Sequence, residues 1–287
     1  MRPSERRSCS TLPALPAVPA GWRWEARDGL VLLRAAPLDA LGVPHAFTTR
    51  SGGVSAPPFE ALNLGRGVGD APEAVAENRA RAVRALGRAP DDHVEASQVH
   101  GREVASVTGA HRGQTMPGAD GLVSADPAAV LAIHCADCVP ILLVEPAARV
   151  VAAVHAGWRG TQNGVVPAVM DMLRDRFSTD PSLAFAALGP SIGPCCYQVG
   201  SEVGQGIVGR WGEAVSAAWR PDGAKGFLDL RLANAALLER AGVKRANIQY
   251  VGPCTACCND RFASYRREGG GAGRQLSVIG WAPQAGR

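Results

Sequence analysis

Two stretches of the chain are nearly continuous in apolar residues, and they limit the possible fold more than any other feature. Val130–His134 and Val150–His155 are short enough to be strands, and both of their alternating faces are apolar. A strand of this kind needs cover on both sides. Shorter apolar runs and helical patterns alternate along the rest of the chain, with Gly and Pro residues between them. The sequence therefore predicts a single α/β domain.

Apolar patterning predicts nine strands and four helices. The strands are Leu30–Ala35, His45–Thr49, Glu103–Val107, Val130–His134, Pro140–Glu145, Val150–His155, Ala184–Gly189, Ile248–Gly252 and Leu276–Trp281. The helices span about 70–86, 164–177, 202–211 and 230–241. For the first helix, Asp70 and Glu73 have the spacing of a capping box.

Composition excludes several classes of protein. The chain has 287 residues, of which 46% are hydrophobic and 20% charged, so global disorder is excluded. A net charge of +4, scattered arginines and 5% aromatic residues argue against nucleic-acid binding. No apolar run approaches the ~20 residues of a membrane-spanning helix. We therefore expect a protein that binds neither nucleic acid nor membrane.

The first 20 residues differ from the rest of the chain. Pro13, Pro16 and Pro19 interrupt the apolar stretch that a signal peptide would need. We predict a disordered Pro-rich tail over residues 1–20, followed by one enzyme domain over residues 21–287.

The eight cysteines are few for a chain of this size, which predicts free thiols in a reducing compartment, the cytoplasm. Cys254-x-x-Cys257 could share a four-cysteine zinc site with Cys135-x-x-Cys138. More than 100 residues separate the two pairs, whereas such pairs usually lie ~15–20 residues apart, so the sequence disfavours this site. Cys195–Cys196 follows Gly193-Pro194 and is predicted to form a tight turn.

Three residues with metal-binding or nucleophilic side chains lie where predicted strands end or begin, namely His100, Cys138 and His155. Two imidazoles and one thiolate suit a catalytic Zn²⁺, since three protein ligands leave the fourth position for water or substrate. Copper would accept the same set. The residues alone leave a second interpretation open, in which Cys138 is a nucleophile and His155 its base. A redox pair of Cys135 and Cys138 is disfavoured, because no helix N-terminus is predicted there to lower a thiol pKa.

Two arginines beside glycines are candidates for binding an anion. Arg50 precedes Ser51-Gly52-Gly53, and Arg159 precedes Gly160. Asn63, between two leucines, is either a turn former or a ligand contact. Tyr265-Arg266-Arg267 adds a third basic segment near the C-terminus.

Nine motifs, in order, resemble those of the YfiH family, and they run from about residue 45 to the C-terminus. Members of that family are called purine nucleoside phosphorylases, polyphenol oxidases of the laccase-domain type, or peptidoglycan-editing factors. The motifs are Thr49–Gly53, Leu62–Gly65, Glu77–Asn78, Gln98–Gly101, Ala119–Gly121, Ala136–Pro140, Val154–Gly160, Leu188–Pro194 and Ser264–Arg267.

The resemblance implies a fold and a metal site. The fold would be a CNF/YfiH-like sandwich of mixed β-sheets packed with helices, similar to cysteine-hydrolase-like bacterial toxins. Zinc, with copper as an alternative, would be held by His100, Cys138 and His155, with Asp137 in support. Arg50, Asn63 and Arg159 would contact phosphate or sugar. Cys135 is an extra thiol beside the motif, although Cys138 is the one aligned with it.

The resemblance also implies an activity, namely phosphorolysis of adenosine, inosine and methylthioadenosine with adenosine deaminase activity beside it. The small-molecule partners would be a purine nucleoside and phosphate. The protein itself would be a monomer or weak homodimer. The alternative is a metal- or cysteine-dependent amide hydrolase that edits peptidoglycan precursors, with incidental polyphenol oxidase activity. A four-copper laccase needs paired His-x-His motifs, and this chain has six histidines and no such pair.

Overall fold

Two large β-sheets lie face to face between layers of helices in the computed structural model, which describes residues 20–250 and 253–282. The strands are β1 (Trp22–Arg27), β2 (Leu30–Ala35), β3 (His45–Thr48), β4 (His93–Ala96), β5 (Val104–Ser106), β6 (Thr115–Met116), β7 (Gly121–Ser124), β8 (Val130–Cys135), β9 (Val139–Glu145), β10 (Val150–Ala156), β11 (Phe185–Leu188), β12 (Gln198–Gly200), β13 (Trp219–Asp222), β14 (Lys225–Leu228), β15 (Ile248–Tyr250) and β16 (Gln275–Gly280). The helices are α1 (Ala36–Ala40), α2 (Pro72–Arg84), α3 (Trp158–Asn163), α4 (Val165–Phe177), α5 (Ser201–Trp211), α6 (Leu230–Arg240) and α7 (Tyr265–Glu268).

Both large sheets are mixed. The first has the strand order β1-β2-β3-β16-β8-β4-β6, and the second has β15-β11-β9-β10-β7-β5. Most neighbouring strands are antiparallel, but β4 runs parallel to β6 and β8, β5 to β7, and β11 to β15. A small sheet of order β12-β14-β13 lies apart from them. Within the described residues, the chain passes from the first sheet to the second three times, between β4 and β5, between β6 and β7, and through the turn between β8 and β9.

The core has three layers because the central strands are apolar on both faces. Leu131 and Ile133 of β8 pack in the same cluster as Leu142 and Val144 of β9, so this cluster lies between the two sheets. The opposite face of β9, with Ile141, packs against α4, α5 and α6. The opposite face of the first sheet packs against α2. These layers confirm the α/β class predicted from the apolar runs and the sandwich of mixed sheets and helices that the family resemblance implies.

The nine predicted strands are present within one residue at each end, except that the last two residues of Ile248–Gly252 lie outside the described residues. The four predicted helices are present as α2, α4, α5 and α6. The capping box at Asp70 is wrong: Ala71 is the N-cap, and the Asp70 carboxylate accepts hydrogen bonds from Ala71 N–H, Ser55 and Asn63. The sequence patterns miss the remaining described elements, namely strands β1, β4, β6, β7, β12, β13 and β14 and the short helices α1, α3 and α7.

Other sequence predictions fall partly outside the described residues. The predicted tail over residues 1–20 does so apart from Ala20, and the domain limits stay a prediction. Six of the described cysteines are free thiols, but Cys258 is disulfide-bonded, so the prediction of free thiols is wrong at that position. No helix in the described part of the chain is long and apolar enough to cross a membrane.

His45 of β3 makes the stability of the sheet depend on pH. Its ring is fully buried, with Nδ1 donating to the Val43 carbonyl at 2.9 Å and Nε2 accepting the Ala35 N–H at 2.8 Å. Burial, with the positive charge of Arg34, lowers the pKa of His45 to about 4, despite the opposing influence of Asp39. The folded state therefore holds the ring neutral, whereas the unfolded chain protonates it below its ordinary pKa of about 6.5.

We predict that this group alone removes about 2 kcal/mol from the free energy of unfolding between pH 7 and pH 5. His45→Gln cannot titrate, so it is expected to be less stable than the wild type at pH 7 but to lose less stability on acidification. Urea denaturation of both proteins at the two pH values measures the difference, and other histidines cancel in that comparison. An equal loss in both proteins would contradict the assignment.

Candidate metal centre

His100, Cys138 and His155 converge although they come from three separate parts of the fold. His155 is near the end of β10, Cys138 is in the turn between β8 and β9, and His100 is in the loop between β4 and β5. One ligand atom from each lies within 4.8 Å of the other two. The two imidazole rings meet edge to face, with centroids 4.9 Å apart at 81°. The structure thus brings together the three residues singled out in the sequence.

Asp120 fixes the orientation of His155. Asp120 directly precedes β7, which pairs with β10, and its carbonyl accepts the His155 N–H at 2.8 Å. Its fully buried carboxylate lies 2.8 Å from Nδ1 of the ring. The Nδ1–H donates to this carboxylate, so Nε2 is the atom available to a metal, as in many metal sites.

The same carboxylate holds the loop that carries His100. It accepts the N–H groups of Val99, His100 and Gly101 at 2.7–3.1 Å. Gln98 and His100 both have positive φ, at 43° and 60°, a region that costs energy for residues other than glycine. Gln98 also exchanges two hydrogen bonds of 2.7 Å with the backbone of His134 in β8. These bonds hold the loop in a conformation that it would not adopt alone.

The charges of the site favour a thiolate at Cys138. Burial by itself would raise its pKa, but the nearby imidazole of His155 and a hydrogen bond from His100 outweigh burial and lower it to about 6. Burial likewise opposes a charge on His155, but Cys138 and Asp120 raise the pKa of His155 to about 9. The thiolate is the form that binds metal ions. Two imidazoles and one thiolate, with one histidine oriented by a carboxylate, therefore fit a catalytic zinc ion.

Asp137 supports the turn that carries Cys138. It has a φ of 92°, and its carboxylate accepts hydrogen bonds from Thr255 Oγ1, Ser264 Oγ and Arg266 N–H at 2.6–2.7 Å. Its carbonyl accepts the Ile192 N–H at 2.9 Å. Asp137 thus joins the turn to two distant loops, and it acts on the site by positioning Cys138.

The three ligands open into a cavity of about 760 Å³ with a basic and aromatic lining. The arginines that line it are Arg66, Arg79, Arg159, Arg266 and Arg274, and the aromatic residues are Trp158, Tyr197 and Tyr265. Of the three predicted substrate contacts, only Arg159 is in the lining. Arg50 instead binds Glu268, and Asn63 binds Asp70 and the Arg274 N–H.

Sequence reasoning missed Arg66, Arg79 and Arg274 as members of the lining. No local signal could have found them, because they come from loops or helices that meet only in the folded chain. Arg79 forms a buried ion pair with Glu95, which also contacts His93 and His134. Cys135, the extra thiol, is buried in β8, where burial raises its pKa, and it is not one of the three clustered ligands.

Because Gly157 has no side chain, Cys138 and His100 can occupy the space beside its Cα atom. A Cβ at this position would lie 2.9 Å from Cys138 Sγ and 3.1 Å from His100 Cδ2. Its backbone angles, φ −75° and ψ 174°, are open to any residue, so the constraint is steric.

Gly157→Ala is expected to displace Cys138 or His100 and to weaken zinc binding about tenfold or more. Competition with a chromophoric chelator measures the affinity. Gly270→Ala is the matched control, because a Cβ there meets no atom within 4 Å. Wild-type affinity in Gly157→Ala would contradict a metal held by these three side chains.

Comparison with known proteins gives one consistent family. The family model described as multi-copper polyphenol oxidoreductase laccase matches residues 44–282. A purine nucleoside phosphorylase of Deinococcus radiodurans is 43% identical over 255 residues, which cover 88% of this chain and 93% of that protein. The crystal structure of YlmD from Geobacillus stearothermophilus has a TM-score of 0.86 at 36% identity, covering 92% of this chain and 100% of that one.

A Bacillus licheniformis hypothetical protein YfiH has a TM-score of 0.85 at 32% identity, covering 90% of this chain and 98% of that one. The family model is described as a laccase, but the described residues of this chain do not form the histidine-rich copper sites of a multicopper oxidase. All six histidines lie in the described residues, and the metal-capable clusters found there include only His100 and His155. The nine motifs, the fold and these relatives agree, and the chain belongs to the YfiH/YlmD family.

Proposed function

We propose that this protein is a zinc-dependent purine nucleoside phosphorylase, with the metal held by His100, Cys138 and His155. The observation that carries the proposal is the convergence of these three ligand atoms within 4.8 Å, at a cavity lined by five arginines. Three ligands leave a coordination position for substrate. A basic cavity beside that position suits an anionic co-substrate such as phosphate.

The proposed reaction moves a ribosyl group from a purine base to phosphate. An oxygen of hydrogen phosphate forms a bond to the anomeric carbon as the bond from that carbon to the base nitrogen breaks. The electron pair leaves with the base nitrogen, which takes up the proton that hydrogen phosphate gives up. The products are the free base and the sugar 1-phosphate, which is ribose 1-phosphate for adenosine and inosine and methylthioribose 1-phosphate for methylthioadenosine. The name of the Deinococcus radiodurans relative supports the phosphorylase class. We propose adenosine, inosine and methylthioadenosine as substrates and adenosine deamination as a side activity, as the resemblance to the YfiH family implies.

The chain's own residues would bind and orient the two reactants. Arg66 and Arg159 are exposed at the cavity and suit phosphate binding through charged hydrogen bonds. Tyr265 is 56% exposed and offers a ring face on which a purine could stack, whereas Arg159 lies over the Trp158 ring and Arg266 over the Tyr197 ring. The zinc ion, when bound, would supply Lewis-acid stabilisation of negative charge on the substrate.

A second candidate is an amide hydrolase in which Cys138 is the nucleophile, acting on a peptidoglycan precursor. The observation that favours it is the series Asp120, His155, Cys138, in which the carboxylate orients the imidazole and the imidazole favours the thiolate. This arrangement resembles that of cysteine hydrolases. We place either activity in the cytoplasm, because Cys138 needs a reducing compartment to stay free. We also propose that the protein is a monomer or weak homodimer.

The two candidates differ in their need for phosphate. We expect the purified protein to release adenine from adenosine only when phosphate is present, with ribose 1-phosphate formed in equal amount. Chromatography of the reaction with and without phosphate measures both products. Adenine release at the same rate with and without phosphate, or no adenine release at all, would contradict the proposed phosphorylase activity.

Cys138→Ala is expected to lose the metal of this site and the phosphorolysis together, since the thiolate is the anionic ligand. Elemental analysis and the adenine assay are run on the same sample. Cys135→Ala is the matched control and is expected to keep that metal, because Cys135 lies outside the cluster. Full activity in Cys138→Ala would show that Cys138 has no part in the chemistry.

Arg159→Ala tests the phosphate role. Loss of one charged hydrogen bond is expected to raise the KM for phosphate about tenfold or more, with a smaller effect on the KM for adenosine. Arg176→Ala, an exposed arginine on α4, is the control. An unchanged KM for phosphate would remove Arg159 from the phosphate site.

A further inference from the structure

A second group of metal-binding side chains lies outside the proposed catalytic centre. Cys195 and Cys196 follow β11, and Cys254 and Cys257 precede α7. Their four Sγ atoms all lie within 4.8 Å of one another. The CxxC of residues 254–257 thus meets the vicinal pair of residues 195–196 and not Cys135 and Cys138, the pairing that the sequence disfavours.

We propose that these four cysteines bind a structural zinc ion. Four thiolates in tetrahedral arrangement are the ligand set of closed structural zinc sites. With Zn–S bonds of about 2.3 Å, tetrahedral geometry separates the sulfurs by about 3.8 Å. Cys257 Sγ lies 3.5 Å from Cys195 Sγ and 3.3 Å from Cys196 Sγ, so only small movements are needed for all four to share an ion.

The backbone around Cys254 suits a sulfur that carries negative charge. Cys254 is buried, and its Sγ accepts the Gly193 N–H at 3.1 Å. Gly193 permits this approach, because a Cβ there would lie 3.3 Å from Cys254 Cβ and 3.4 Å from Cys195 Sγ. N–H donors on a buried sulfur stabilise a thiolate, and the thiolate is the metal-binding form.

The four sulfurs are better placed for a shared ion than for disulfides. Neighbouring cysteines such as Cys195 and Cys196 form a strained ring when they bridge each other. All four are free thiols, at separations well beyond a bond of about 2.05 Å. Three of them are at or near the surface, so an ion can reach the site.

The zinc would clamp the two loops that hold Asp137. The loop of residues 189–197 donates the Ile192 N–H to the Asp137 carbonyl, and the loop of residues 253–264 donates the hydroxyls of Thr255 and Ser264 to its carboxylate. Between the two loops themselves, the Thr255 N–H donates to the Ser191 carbonyl at 3.1 Å. A metal joining both loops would therefore keep Asp137, and with it the turn that carries Cys138, in place.

The test counts metal ions in the full-length protein, loaded with zinc under reducing conditions and gel-filtered. Elemental analysis is expected to give about two zinc ions per chain in the wild type and about one in Cys257→Ala. Cys138→Ala, which removes a ligand only from the His100 centre, is also expected to keep about one. Cys135→Ala, a free thiol outside both clusters, is the control and is expected to keep both.

X-ray absorption of zinc-loaded Cys138→Ala then identifies the ligands, and only sulfur at about 2.3 Å is expected. If Cys257→Ala does not fold, titration of folded Cys138→Ala with p-hydroxymercuribenzoate must release its remaining zinc. A metal-free Cys138→Ala, an unchanged zinc count in Cys257→Ala, iron in place of zinc, or a disulfide within the cluster would each overturn the proposal. Since Cys138→Ala lacks the other centre, these results do not depend on the proposed phosphorylase.

Discussion

The buried carboxylate of Asp120 accepts hydrogen bonds from the His155 ring and from three successive backbone N–H groups of the His100 loop. Two of the three candidate metal ligands are therefore positioned by one side chain. The three N–H groups and the imidazole N–H would lack a hydrogen-bond partner without this carboxylate, and unpaired buried donors cost free energy. The carboxylate therefore holds the loop and the imidazole ring in fixed positions relative to each other. The positive φ angles of Gln98 and His100 persist because these bonds leave the loop no better conformation.

The layered core brings the third ligand to the same place. β8 belongs to one sheet and β9 to the other, so the turn between them crosses the space where the sheets meet. Asp137 fixes that turn against two loops from the C-terminal half of the chain, and Cys138 then faces the two histidines. The proposed four-cysteine zinc site would strengthen the same support from outside. The candidate metal centre at Cys138 and the proposed four-cysteine zinc site are thus linked through Asp137.

Strand positions were predictable because burial on both faces leaves a clear mark in the sequence. The runs that became β8 and β10 had to be central strands, and the ligands near their ends followed from the same reasoning. α3 was missed because it has six residues and begins directly after the glycine at the site, with no N-terminal capping side chain to mark it. Arg50 and Asn63 were singled out for their neighbours in sequence, whereas the arginines of the cavity were brought there by the fold.

The sequence by itself determined the α/β class, the central strands and the identity of the three candidate ligands, because these depend on local apolar pattern and on recognisable motifs. Only the tertiary structure decided which thiols lie together. Cys254 and Cys257 are more than 100 residues from Cys135 and Cys138, and they are also about 60 residues from the pair that they do meet. Ligand grouping across such distances depends on how loops from different layers pack, and no spacing rule along the chain records that packing.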